Sequence, residues 1–368
     1  MLDTGFRASH DRMKDLPRIQ ESLTANPLTF GIKFLDDALY GILPVDLVVI
    51  AAPSGIGKTD LAANILFKNA QNGRRAFGIF LEAFEGEIEM RQKFRLLART
   101  YYNEQKALGK NVLQVYPKPV YVEWFLGHQQ WLDKYTIKID HFHNAFTKYR
   151  GKEYTAKDVK RDLLALNDDA ELIVIDHLHY FDLDNENENK AITEIVKTIA
   201  DTIQVIQKPV VLVSHIKKRD KKFSEAVPTI DDVFGTGSIT KIATKVVTLA
   251  PYNIETEVAD QYRWKTLMRP AKFRLNSAVA NYVGLLTYNT SLGDYEKQYH
   301  VGKLVQEGRV FEETQESLFW KHDRGGKGDD KETAKKGHIQ ADARSGEVVE
   351  PTQGSLPSSD LDGGKGNE

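Results

Sequence analysis

The chain has 368 residues, with 50 Lys and Arg set against 52 Asp and Glu, and it contains no cysteine. The missing cysteines exclude a disulfide scaffold, a thiolate metal site and a cysteine nucleophile, and no apolar run approaches the ~18 residues of a membrane span. A formal net charge of −2 excludes a uniformly basic coat for nucleic acid, though not a local basic loop.

Met1 to Gln20 is polar and charged, with no apolar run and no small-residue cleavage site. A secretory leader is therefore not expected, and the expected location is the cytoplasm, with no membrane partner. Residues 1–26 are expected to form an N-terminal segment. Its stretch Asp11 to Ser22 is weakly amphipathic and could form a linker helix.

The ordered body is expected over residues 27–320. Leu47–Ala51 is a short, continuously apolar run, followed by a Gly-rich turn and a helical pattern from Asp60 to Gln71. Further apolar runs stand at Ala76–Leu81, Leu172–Ile175, Pro209–Val213 and Val246–Leu249, and a helical stretch, Ala191–Gln207, precedes the fourth run. Continuous apolar strands alternating with helices predict an α/β fold, a mainly parallel sheet with helices on both faces. Antiparallel strands are expected near Lys272–Arg274 and Val283–Tyr288. The stretch Tyr101–Arg150 is rich in aromatic and basic residues and is expected to pack in part on a sheet edge. Its His141 and His143 lack a third ligand and raise no metal expectation. From Lys321 to Glu368 there is no Phe, Tyr or Trp, and nine Gly are spread among charges of both signs. Such a segment buries too little apolar surface to offset its ordering entropy, so a disordered tail is expected over 321–368.

Ala52-Pro53-Ser54-Gly55-Ile56-Gly57-Lys58-Thr59 joins the first strand to its helix. This is a phosphate-binding loop with Ala at its first Gly position. Gly55 and Gly57 let backbone N–H groups converge on phosphate oxygens, and the helix start adds a favourable dipole. Lys58 can reach the outer phosphates, and Thr59 can offer a hydroxyl to Mg²⁺. ATP and Mg²⁺ are the expected cofactors. Hydrolysis also needs carboxylates. Asp176 ends the apolar run Ile173–Ile175 and is the second candidate for magnesium. Glu82 comes after Phe80-Leu81 at a strand's carboxyl end, where ligands of such sheets bind, and is the candidate for the water-positioning base. Lys217-Lys218-Arg219-Asp220-Lys221-Lys222 places five cations in six positions directly after the fourth strand. Lys217, Lys218, Lys221 and Lys222 are candidate contacts to nucleic-acid phosphates.

With these residues in place, the body from about Phe30 to Tyr295 resembles the RecA-fold core of ring-shaped replicative helicases, the DnaB-type and Twinkle/phage primase-helicase group. The phosphate loop, Phe80-Leu81-Glu82, Met90-Arg91 and Asp176-His177-Leu178-His179 carry the likeness. So do Val213-Ser214-His215, Asp232–Ile239 and Lys272-Phe273-Arg274. The resemblance implies that His215 senses the terminal phosphate and that Arg274 acts as an arginine finger on a neighbouring subunit. It also implies that Phe234, Gly235 and Gly237 belong to a loop facing DNA. Phe234 stands where the family usually has Arg, with Lys241 and Lys245 offered as compensating phosphate contacts. The implied activity is ATP-dependent translocation on single-stranded DNA with strand separation during replication, in the 5′ to 3′ direction. The implied assembly is a homo-oligomer, a hexamer, with a primase or loader as further partner. Two rivals remain: a RecA- or KaiC-like DNA-dependent ATPase of recombination or repair, and an ATP-gated scaffold or loader with little turnover.

Overall fold

The structure, a computed structural model, describes residues 9–14, 16–17, 28–110, 121–132, 143–151, 153–182, 188–217, 227–234, 236–251, 265–304, 311–313, 340–341 and 348–349. Its centre is a ten-stranded sheet in the order β10-β9-β8-β7-β6-β1-β5-β4-β2-β3. β1 (Leu47–Ala52), β2 (Ala76–Phe80), β3 (Ala145–Tyr149), β4 (Leu172–Asp176), β5 (Val210–His215) and β6 (Lys245–Pro251) run parallel. β7 (Lys265–Phe273), β8 (Tyr282–Asn289), β9 (Asp294–Leu304) and β10 (Phe311–Glu313) continue the sheet antiparallel. The parallel half matches the expected fold, and the antiparallel half extends further than the two expected strands.

The helices among the described residues are α1 (Ser9–Lys14), α2 (Lys33–Leu39), α3 (Lys58–Gln71), α4 (Glu87–Ala107), α5 (Tyr121–Gly127), α6 (Gln129–Leu132), α7 (Ala156–Ala165), α8 (Glu188–Ile206) and α9 (Thr236–Ile242). None of them is long and apolar enough to cross a membrane. β1 explains why its sequence is continuously apolar. Val48, Ile50 and Ala52 pack into one core with α2 and α3, while Leu47, Val49 and Ala51 pack into a second core with α7 and α8. With both faces covered there is no position for a polar alternation. α1 falls within the expected N-terminal segment. A two-residue ribbon, β11 (Gln340–Ala341) with β12 (Val348–Val349), falls within the expected tail; the rest of 321–368 lies outside the described residues.

β3 has no counterpart in the expected strands. It is the sheet's edge, its residues alternate between half-buried and exposed, and it pairs with β2 from Ala76↔Ala145 to Phe80↔Tyr149. The neighbouring aromatic stretch forms a satellite core in which Phe94, Leu97, Ala98 and Trp124 are buried, with Tyr101 and Trp131 against them.

Lys245 corrects an expectation. It is not a DNA contact: it is fully buried, and its Nζ lies 2.6 Å from Asp46 Oδ2 and donates to Gly41 O at 2.8 Å. Asp46 also accepts from Leu43 N–H and the Thr244 hydroxyl, so the pair stitches β6 to the turn before β1. Removing one member strands a buried charge, which costs about 3–5 kcal/mol. Urea unfolding of Lys245→Met is expected to register a loss of that order. The double variant Asp46→Leu/Lys245→Met should recover part of it, and a loss equal to the sum of the single variants would contradict the coupling.

Candidate active site at the carboxyl edge of the parallel strands

The strand order places the candidate groups in a row. β1 ends in the phosphate loop and β5 beside it ends in His215. β4 comes next and ends in Asp176, and just beyond β2 stands Glu82. Adjacent strands lie only about 4.8 Å apart, so these side chains meet at one edge. Ala52 and His215 are register partners. Gly55 (φ 81°) and Gly57 (φ 83°) hold left-handed torsions, and a Cβ at Gly55 would meet nothing within 4 Å. Torsion rather than crowding therefore calls for glycine. Gly57 is the residue before α3, so the N–H groups of the first helical turn open toward the loop.

The cleft has a volume of about 600 Å³ and is lined by Ser54 through Asp60 together with Glu82, Arg91, His215, Pro251, Lys265 and Tyr288. Lys58 is buried; its Nζ donates to Pro53 O (2.9 Å) and Ala52 O (3.3 Å) and lies 3.2 Å from His215 Nδ1. Burial lowers the Lys58 pKa, against the pull of Asp176 and Glu82. His215 Nε2 is 3.2 Å from His177 Nε2, which in turn is 3.0 Å from Glu82 Oε2. Tyr180 O–H reaches the other Glu82 oxygen at 3.4 Å. The candidate base is thus linked to the phosphate-loop lysine through two imidazoles. His177 Nδ1 accepts the N–H of His179 at 3.3 Å, which leaves the His177 ring proton on Nε2, facing Glu82. Burial pushes His177 down to about 3 and His179 to about 4, helped by His215 and Lys58, so both rings are neutral at neutral pH.

Asp176 is fully buried, and neither carboxylate oxygen has a well-formed hydrogen bond among the described residues. Burial raises its pKa to about 6; the nearby Thr59 side chain pulls it down, and Glu82 pushes it up again. A buried carboxylate with free lone pairs beside a hydroxyl suits a hard cation such as Mg²⁺, which takes oxygen ligands. The donor set therefore fits magnesium.

Asp60, directly after Thr59, is a part of the site that the sequence did not reveal. It is buried, and Arg95 (2.6 Å), Arg91 (3.3 Å) and the Tyr288 hydroxyl (2.6 Å) converge on it. Burial is the largest influence on its pKa and acts upward, but these partners together hold it below the usual carboxylate range. The cluster ties the first turn of α3 to α4 and β8.

The DNA-loop candidates are described only in part. Lys218, Lys221, Lys222 and Gly235 lie outside the described residues. Lys217 N–H donates to Asp232 O, its Nζ donates to Asp231 O, and Ile216 bridges to Val233. Phe234 N–H donates to His215 O at 3.1 Å, and its half-buried ring stands 4.8 Å from His179, against the second core. Gly237 and Lys241 are exposed. Lys272 Nζ donates to Ala243 O (2.6 Å) and Thr240 O, covering the carboxyl end of α9. Arg274 stands just past β7, its N–H donating to Thr244 O at 3.1 Å; its side chain is exposed and does not line the cleft.

The family model for the DnaB-like helicase C terminal domain matches residues 28–274, about two thirds of the chain. This chain belongs to that family. Its members are ATP-binding replicative helicases and are typically hexameric. No curated protein sequence matches. Among solved structures, this DnaB-like chain is similar to one described as an ATPase domain, with a TM-score of 0.57, 17% identity, and coverage of 80% of this chain and 99% of that one. It is also similar to a DnaB-like replicative helicase described with its interactions with primase, with a TM-score of 0.54, 16% identity and coverage of 79% of this chain. At these identities the likeness concerns the fold, a RecA-like one, and the chain spans 66% of the length of that helicase.

Proposed function

We propose that this DnaB-like chain is the motor core of a replicative helicase, hydrolysing ATP between the subunits of a homo-hexamer and drawing single-stranded DNA through it. In this reading the core spans residues 27–320. The loop from Ala52 to Thr59 (Pro53, Ser54, Gly55, Ile56 and Gly57 by backbone, Lys58 by charge) holds the phosphates. Thr59 and Asp176 would hold Mg²⁺, which when bound would offset the negative charge of the phosphates. Glu82 orients water and takes its proton, with His177 donating to it in the resting state. Lys58 leaves His215 for the phosphates when ATP enters, which frees His215 to meet the terminal phosphate.

The observation that carries this reading is the placement of Arg274. The other reaction-centre candidates converge on one strand edge and its cleft, while Arg274 is exposed and outside that cleft. A finger so placed serves the cleft of a second copy, where its planar fork suits phosphoryl charge.

Coupling to DNA runs through backbone contacts. His215 bonds Lys58 through its ring and Phe234 through its carbonyl, Lys272 grips the carboxyl end of α9, and Arg274 N–H bonds Thr244 O just beyond it. A change at the terminal phosphate therefore reaches the basic loop (Lys217, Lys218, Lys221 and Lys222) and the segment that holds Phe234, Gly235 and Gly237. Movement is 5′ to 3′ on the tracked strand, and a primase or loader is the expected partner protein. The test is ATP-dependent opening of a forked duplex bearing a 5′ single-stranded arm. Opening only with a 3′ arm would reverse the polarity, and ATP turnover with no opening of either fork would sink the helicase reading.

A further inference from the structure

The catalytic reading leaves His179 without a task, although both of its ring nitrogens are buried and have no partner among the described residues. Its ring lies 5.0 Å from that of His215 and 5.7 Å from that of His177, centroid to centroid. His177, His179 and His215 each offer one ring nitrogen, and these atoms all fall within 4.8 Å of one another. We propose that the three histidines form a binding site for a divalent transition metal of the zinc class, which holds the ATPase idle when filled.

The geometry is close to that of a tetrahedral site. Zn–N bonds of about 2.0–2.1 Å put neighbouring ligand nitrogens roughly 3.3 Å apart. The Nε2 atoms of His177 and His215 are already 3.2 Å apart. His179 must approach by at most about 1.5 Å to complete the triangle, and it sits on a three-residue turn, Leu178–Tyr180, rather than inside a strand. Glu82 Oε2, 3.0 Å from His177 Nε2, is the carboxylate positioned to complete the shell. Metal on both Nε2 atoms places the ring protons on Nδ1. The Lys58–His215 contact and the 3.3 Å contact from His179 N–H to His177 then open, and Lys58 keeps the carbonyls of Ala52 and Pro53. Three imidazoles select a borderline-soft ion over Mg²⁺, whose own ligands, Thr59 and Asp176, are oxygen donors. A metal here takes His215 and Glu82 out of use together, and this idling role rests on the proposed ATPase. Binding itself does not.

The test titrates Zn²⁺ into the metal-stripped full chain against a chromophoric chelator, with Mg²⁺ in excess to occupy oxygen sites. One tight equivalent per chain is expected, together with a rise in melting temperature. His179→Asn should weaken binding by roughly tenfold or more and abolish the rise. His179→Gln serves as the second variant, and Co²⁺ in the wild-type chain should give the strong visible absorption of a tetrahedral site. Absence of stoichiometric binding, or equal binding by the variants, would overturn the site. In a separate arm, Zn²⁺ should stop ATP hydrolysis by the wild type, excess chelator should restore it, and His179→Asn should resist. Stoichiometric binding with hydrolysis unaffected would overturn the idling role alone.

Discussion

Arg274→Ala is expected to lower ATP turnover by about 10³-fold or more, the range over which arginine fingers act, while nucleotide affinity changes little. The reason is where the residue stands. Its side chain is exposed and lies outside the cleft of its own chain, while its backbone N–H is anchored to Thr244 O. The fold of the variant should be intact, because an exposed residue past a strand end carries little packing. A mixing experiment makes the result specific. Lys58→Ala removes the phosphate contact but keeps the finger, and Arg274→Ala does the reverse. Each alone should be inactive, and assembled together they should recover a measurable part of the turnover, since one interface type then holds an intact lysine and an intact finger. Failure of any mixture to recover activity, with mixed assembly verified, would place the defect within a single chain.

Glu82→Gln is expected to lower turnover by about 10²- to 10⁴-fold, the usual contribution of a positioned general base. Glutamine keeps the size and the contact with Tyr180 but cannot take a proton from water. Nucleotide binding should survive, because Glu82 is not among the phosphate-loop groups and half of its side chain is exposed (47%). The expected signature is a chain that binds ATP and releases almost no phosphate, measured by a fluorescent nucleotide alongside single-turnover hydrolysis. If turnover stays within about threefold of wild type, Glu82 is not the base, and Glu87, also in the cleft, becomes the carboxylate to test.

Much of this site was legible in the sequence, for a local reason. Lys58, Asp176, Glu82 and His215 all come after apolar runs, and neighbouring parallel strands deliver the residues at their carboxyl ends to the same edge. The parts that were not legible depend on partners far along the chain. Lys245 comes after a Gly-rich turn and reads as a surface cation, yet its partner Asp46 lies 199 residues away. Asp60 stood only as the start of a helical pattern and Arg95 carried no motif, and only the packing of α3 against α4 and β8 makes them a buried cluster. β3 escaped notice because an edge strand is half covered, so Ala145–Tyr149 shows neither an apolar run nor a clean alternation of residue types. His179 lay in a segment that carried the family likeness but received no role of its own, since one histidine on a short turn acquires chemistry only when His215 arrives from a different strand.

The central claim, that this is a DNA-driven ring motor with a finger acting across subunits, is tested most directly by ATP hydrolysis with and without single-stranded DNA, in wild type and Arg274→Ala. The account predicts strong stimulation by DNA in the wild type and none in the variant. Wild-type hydrolysis that is indifferent to DNA would contradict it.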